Sequence, residues 1–295
     1  MAESIGFIGL GTMGEPIAAS LIQAGYSLKV YNRTASKAEP SVAKGATAVK
    51  HHADVATPGG IVFTMLADDR AVEEIADSHG SFVERLGSGG VHVSLSTISP
   101  STASRLSANH ARHKVAYVAS PVFGRAEAAA ARKLWVCTSG SAAAKQRVRP
   151  ILEAISQGIF DFGEDVGAAN VVKICGNFMI ASTIETISEA LVLAQKNGLS
   201  RSDVAEFFGK TLFACPIYQS YGKKIAAQEF EPAGFSLKLG LKDVNLAIQT
   251  ATASSMPMPL ASLLHDRFIA SIARGRGNWD WMGIATNALE DAGLQ

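Results

Sequence analysis

Ser4-Ile5-Gly6-Phe7-Ile8-Gly9-Leu10-Gly11-Thr12-Met13-Gly14 decides how this chain folds. Ser4 to Ile8 is a short apolar run of strand type, and the G-x-G-x-x-G that follows opens into a helical pattern carrying Ile17, Ala18, Leu21 and Ile22. In that context each glycine has a separate use. Gly9 permits a tight turn, Gly11 lets backbone approach a pyrophosphate, and Gly14 lets the helix sit close to the strand, with its N-terminus toward the phosphates. Leu10, Thr12 and Met13 complete the loop. An ordinary glycine turn is the plain alternative, but strand, loop, helix and second strand arrive in order, which favours dinucleotide binding.

The second strand, Leu28 to Tyr31, ends in Asn32-Arg33-Thr34, where an NAD-binding chain usually places Asp or Glu for the ribose hydroxyls. A carboxylate there repels a 2′-phosphate, whereas Asn32, Arg33 and Thr34 suit one, Arg33 by a bidentate or stacking contact. The expected cofactor is therefore NADP(H) in preference to NAD(H). The competing reading is that Arg33 is a solvated loop charge.

Outward from this unit, β-branched runs alternate with helical stretches up to about Asp165, the pattern of a parallel sheet covered by helices. Strands are expected at Ile5–Ile8, Leu28–Tyr31, Ile61–Met65, Val91–Leu95, Val115–Val118 and Leu134–Thr138, with another near Ile159–Phe162. Beyond Gly167 the pattern turns helical, beginning with one run from Ala168 to Lys196 that Asn197-Gly198 stops and ending with a helix over Trp281–Ala292. The expected architecture is an α/β Rossmann-type domain over 1–165 followed by an all-α domain over 166–295.

Composition narrows the partners. The chain has 295 residues, 47% hydrophobic and 18% charged, and a net charge of +1, so it offers no global field for nucleic acid or an anionic membrane. Cys137, Cys175 and Cys215 are odd in number and lack C-x-x-C spacing, which argues against a disulfide framework or a zinc knuckle. Met1 leads into the first strand without a signal-type start, and the longest charge-free stretch, Val244–Leu264, is broken by Asn245, Gln249, Pro257 and Pro259. A cytoplasmic protein with no membrane span is expected. His51, His52, His110 and His113 have no clustered carboxylate or cysteine and read as surface or helix-end residues, so no metal is expected, and Cys175 reads as a buried structural thiol.

At the start of the long helix Asn170, Lys173 and Asn177 are spaced by three and four, which puts them on one face among Val171, Val172, Ile174 and Phe178. A lysine in such surroundings needs a path to water or a task.

Six ordered motifs together give the chain a family resemblance. They are Gly9 to Gly14, Met65-Leu66-Ala67-Asp68, Ser96-Thr97-Ile98-Ser99-Pro100, Ser120-Pro121-Val122-Phe123-Gly124, Gly167 through Lys173 to Asn177, and Phe235-x-x-Lys238-x-x-x-Lys242-Asp243. Over essentially its whole length the sequence resembles the β-hydroxyacid dehydrogenases, which include 3-hydroxyisobutyrate dehydrogenase and the glyoxylate/succinic semialdehyde reductases. The resemblance implies a Rossmann-type domain joined to a helical one that carries substrate and dimerisation surfaces, a homodimer or homotetramer, and an active site in the cleft between domains. It implies Lys173 as the acid/base, Asn177 as a group orienting substrate, and Met65, Leu66, Thr97, Phe235, Lys238 and Lys242 along the cofactor. Ser96, Thr97, Phe123, Gly124 and Arg125 would then line the substrate side. A hydride exchanged with a carbonyl carbon leaves the oxygen needing a proton, which an ammonium can give.

The implied reaction interconverts a small aldehyde or keto acid and its hydroxyacid. Phe123-Gly124-Arg125 departs from the Ser-Gly-Gly that receives a substrate carboxylate in the family, and Ala169 and Ser94 stand where Gly and Asp are common. Two rivals remain: an imine reductase on the same scaffold, which usually carries Asp or Tyr at the Lys173 position, and a nonenzymatic dinucleotide-binding module.

Overall fold

The computed structural model describes residues 4–294. Its strands are β1 (Ser4–Ile8), β2 (Ser27–Tyr31), β3 (Thr47–Ala48), β4 (Ile61–Thr64), β5 (Val91–Ser94), β6 (Ala116–Ala119), β7 (Val122–Phe123), β8 (Leu134–Gly140) and β9 (Ser156–Asp161). They form one sheet in the order β3-β2-β1-β4-β5-β6-β8-β7, with β9 on the other side of β8. From β3 to β6 every pairing is parallel, and the chain order reverses between β1 and β4. In a doubly wound sheet that reversal opens a crevice at the carboxyl ends of the strands, and the glycine loop follows β1 there.

The central strands are buried on both faces, which is why they read as continuous apolar runs. Phe7, Val30, Phe63 and Val93 enter a core with Ile17 and Leu21 of the helix Gly14–Gln23. Ile8, Val62 and Tyr117 enter the opposite core with Leu106 of the helix Pro100–Arg112 and Ala169 of the long helix. The expected parallel sheet needs one correction, because β8 runs antiparallel to both β6 and β7. An alternating run such as Leu134–Thr138 has the same pattern in either direction, and β3 and β7 are two residues each, too short to carry a period.

Among the described residues no strand follows β9. The long helix, Ala168–Lys196, is succeeded by helices Arg201–Lys210, Pro216–Ala227, Leu237–Ala253 and Pro259–Ala273. Ile184, Leu191, Tyr221, Ile225, Leu237, Val244, Leu264, Phe268 and Trp281 make their core. The helix expected over Trp281–Ala292 is a 3-10 turn, Trp281–Ile284, continued by an α-helix over Ala285–Asp291. Asp280 fixes that change: its carboxylate accepts from the backbone N–H of Met282 at 3.2 Å, Gly234 at 3.0 Å and Phe235 at 3.2 Å.

Compactness divides the chain between Lys173 and Ile174, inside the long helix. That helix alone among the described ones is long and apolar enough to cross a bilayer, with a mean hydropathy of 1.2 over its best window. Its buried side chains argue for a core helix instead: Asn170, Lys173, Asn177, Glu185 and Ser188 are all buried polar groups, and Glu185 accepts from Arg267 Nε at 2.7 Å.

Candidate active site

The glycine loop is shaped by close backbone approach. Gly9 has φ +99°, and a Cβ there would stand 2.3 Å from the carbonyl oxygen of Met65. At Gly14 a Cβ would stand 1.8 Å from the carbonyl oxygen of Gly9, so the helix starts on top of the turn. Gly11 differs, with nothing within 4 Å of its would-be Cβ, and that open side is the approach a pyrophosphate needs. No side chain caps the helix at Met13; the Glu15 N–H is taken by the Gly11 carbonyl at 3.1 Å and Pro16 has none, so the Gly14 N–H is what the first turn can offer an anion.

Asn32 braces the loop itself. Its Oδ1 accepts from the N–H of Leu10 at 2.9 Å, and its Nδ2 donates to the carbonyl of Thr34 at 2.9 Å. Arg33 and Thr34 are exposed beside it. The amide expected to receive a phosphate thus also braces the ends of β1 and β2, with a second Nδ2 hydrogen beyond the one given to Thr34, and Arg33 is an exposed cation next to it.

The next strand ends are also tied together. Ser96 is fully buried and its hydroxyl accepts from the N–H of Leu66 at 2.8 Å, while Met65 donates its N–H to the carbonyl of Ile8 at 2.9 Å. Asp69 accepts from Ser99 N at 3.0 Å, Ser99 Oγ at 2.5 Å and Thr102 Oγ1 at 2.9 Å, locking the turn after β4 to the start of the helix Pro100–Arg112. Thr97 stands half-exposed on this rigid rim.

Lys173 is 9% exposed, and its Nζ lies 4.0 Å from the centre of the Phe123 ring. A cation over an aromatic face is attracted by the ring quadrupole, by about 0.5–2 kcal/mol depending on desolvation. Cys137 is close: burial pushes its thiol up, and the Lys173 charge pulls the other way. One turn earlier Asn170 is 1% exposed and its Nδ2 has no hydrogen-bond partner. Arg125 is half-buried and Gly124 exposed.

In the helical unit Asn177 donates its Nδ2 to Asp243 Oδ2, and Lys242 Nζ lies 2.9 Å from the other carboxylate oxygen. Asp243 is 2% exposed, a buried charge held by an amide and an ammonium. Lys238 donates to Asn278 Oδ1 at 3.2 Å, and Phe235 packs edge-on against Trp281 at 4.9 Å.

One expectation about reactive side chains is corrected and another gains a partner. Cys175 is exposed, because it shares its helix face with Val171 and Met179, 38% and 66% exposed, rather than with Lys173. His110 stands in the last turn of the helix Pro100–Arg112, as expected, but it is fully buried, and its Nε2 lies 2.8 Å from Nδ1 of His92, a partner 18 residues away that helical position alone does not reveal. Among the described residues no three His, Cys, Asp or Glu side chains converge as metal ligands do.

Set beside this geometry, the sequence model for the NAD binding domain of 6-phosphogluconate dehydrogenase matches residues 4–167, and that for the NAD-binding domain of NADP-dependent 3-hydroxyisobutyrate dehydrogenase matches residues 167–287. The chain belongs to the β-hydroxyacid dehydrogenase family. As a member of it, the chain is an NAD(P)-dependent oxidoreductase. It is 44% identical to an uncharacterized oxidoreductase of Bacillus subtilis, over 95% of this chain and 98% of that one. With the NAD-dependent L-serine dehydrogenase of Pseudomonas aeruginosa it shares 31% identity over 95% of each chain. The 3-hydroxyisobutyrate dehydrogenase of Mycobacterium tuberculosis, solved with L-serine, superposes with a TM-score of 0.86 at 27% identity, covering 97% of this chain and 99% of that one. Family membership fits the sheet order and the loop, since in doubly wound sheets a dinucleotide binds at the carboxyl ends of the strands where the order reverses.

Proposed function

We propose that this β-hydroxyacid dehydrogenase is an NADP(H)-preferring reductase that interconverts a small aldehyde or keto acid with its hydroxy compound, with Lys173 as general acid and base. The observation that carries the reading is a lysine held 9% exposed against an aromatic ring at the start of the long helix, where a merely solvated lysine has no reason to be. When bound, the cofactor supplies or accepts hydride at its nicotinamide. Lys173 Nζ donates a proton to the substrate oxygen in reduction and takes it back in oxidation. Asn177 fixes the substrate oxygen's surroundings through a side chain itself held by Asp243.

Gly9, Gly11 and Gly14 with the uncapped helix start hold the pyrophosphate, and Arg33 with Thr34 takes the 2′-phosphate. Division of labour follows the fold, with nucleotide on residues 1–165 and substrate and subunit contacts on 166–295. A homodimer or homotetramer is supported by the exposed Met179, Leu193, Phe207 and Leu263 of the helical unit. Three free thiols suit a reducing cytoplasm.

A panel of aldehydes, keto acids and hydroxyacids assayed with NADPH and NADH tests the reading. Carbonyl reduction with kcat/KM at least tenfold higher for NADPH is expected. Equal use of both cofactors removes the role of Arg33, and the absence of any nicotinamide absorbance change across the panel removes the reductase.

A further inference from the structure

Phe123 on β7 and Trp135 on β8 are register partners, so their side chains leave the sheet on one face. Cys137 follows Trp135 on that face, and its partner on β9 is Phe160. The Trp135 and Phe160 rings lie 5.8 Å apart, 44% and 53% exposed. Gly158 is opposite Trp135, and a Cβ there would stand 2.5 Å from the indole, so the ring occupies the space that the glycine leaves. Phe123, Trp135 and Phe160 therefore share one sheet face, and the row begins under the amine of Lys173, 4.0 Å from the first ring.

The chemistry of that face is one-sided. Val122, Phe123 and Gly124 carry no side-chain hydrogen-bond donor. A carboxylate set against that ring meets its negative face and gains no side-chain hydrogen bond from Val122, Phe123 or Gly124, and the cation that faces the ring, Lys173, is the one the reaction uses, whereas an apolar group loses only water it holds weakly. We propose that Phe123 is the specificity-determining residue of this enzyme, selecting carbonyl compounds whose reacting carbon bears an aryl or branched apolar group over compounds that carry a carboxylate. The inference rests on Lys173 being the proton donor, since the ring is placed by reference to its amine.

The test compares kcat/KM with NADPH for benzaldehyde and for succinic semialdehyde in the wild-type enzyme, Phe123→Ser and Phe123→Leu. The wild type is expected to favour benzaldehyde by about 100-fold, the scale at which apolar pockets discriminate. Phe123→Ser is expected to erase most of that ratio by gaining on the semialdehyde, and Phe123→Leu, still apolar, to keep most of it. A wild-type enzyme that prefers the semialdehyde overturns the inference even where Phe123→Ser fails to fold, as does a ratio unchanged in folded Phe123→Ser. Should the wild type reduce neither compound nor any other carbonyl while binding NADPH, the reductase reading fails first and this one with it.

Discussion

Nδ1 of His92 and Nε2 of His110 lie 2.8 Å apart in a pair with no exposure to solvent. The other ring atoms fix the direction of the proton. His110 Nδ1 faces the carbonyl of Leu106 at 2.6 Å, so it is the donor there, and Nε2 accepts from His92. His92 Nε2 in turn accepts from the hydroxyl of Thr64 at 2.9 Å. One chain of hydrogen bonds links β4, β5 and the helix Pro100–Arg112, and it is complete only with both rings neutral.

Acid is therefore expected to loosen the nucleotide-binding unit. Burial pulls His110 down to about 4, and burial followed by the His110 charge holds His92 well below its ordinary value. Both folded values lie below that of the unfolded chain, so the unfolded state binds the extra protons, and stability present at neutral pH is lost as pH falls from about 6.5 toward 4. For His110 alone the loss is about 3 kcal/mol. Urea unfolding at a series of pH values checks this, with a flatter profile expected for His92→Leu/His110→Leu and an equally steep one contradicting the assignment.

Gly11 and Gly14 are expected to fail differently. Gly14→Ala forces a Cβ into the Gly9 carbonyl and lowers the melting temperature. Gly11→Ala meets nothing in the protein, so it is expected to melt like the wild type yet bind NADPH at least tenfold more weakly, because the methyl stands where the pyrophosphate approaches. Calorimetry and cofactor titration on both variants separate the two, and unweakened binding by Gly11→Ala would move the phosphates elsewhere.

Asn32 and Arg33 are adjacent but have unlike tasks. Asn32→Ala removes the brace on Leu10 and is expected to raise KM for NADPH and NADH by similar factors, about fivefold to tenfold for one hydrogen bond. Arg33→Gln is expected to raise KM for NADPH alone, by about 10- to 100-fold for a charge-assisted contact. Steady-state kinetics with both cofactors reads the contrast.

Asp243 is expected to matter for folding as much as for turnover. Asp243→Ala removes the buried carboxylate shared by the Asn177 amide and the Lys242 ammonium, which is itself 22% exposed, at a cost of about 1.5–3 kcal/mol, the scale of a hydrogen bond to a charged group. Denaturant unfolding of the variant measures it, and a loss below 1 kcal/mol would mean that the pair is solvated.

Most of the sheet was legible because buried parallel strands advertise themselves as apolar runs between glycine turns, and the glycine loop carries its own mechanism in its spacing. Direction was not legible at β8, and partnership across distance was not legible anywhere: the His92–His110 pair and the brace from Asn32 to Leu10 each join residues that periodicity treats separately. The site was read mainly through resemblance. Composition alone leaves Lys173 a snorkelling lysine, and the ring beneath it becomes visible only when β7 folds back beside β8. Asn170, a buried amide with an unpartnered nitrogen one turn before Lys173, stood in the polar stripe without any signal that its amide nitrogen would lack a partner.

The account turns on one proton. Single-turnover reduction of a good aldehyde by NADPH-loaded Lys173→Ala, compared with wild type, tests it most directly. The hydride-transfer rate is expected to fall by about 10²–10⁴ while the NADPH dissociation constant stays within about threefold, as removal of a general acid requires. A rate within tenfold of wild type at intact cofactor affinity would contradict the assignment and return Lys173 to the status of a structural residue.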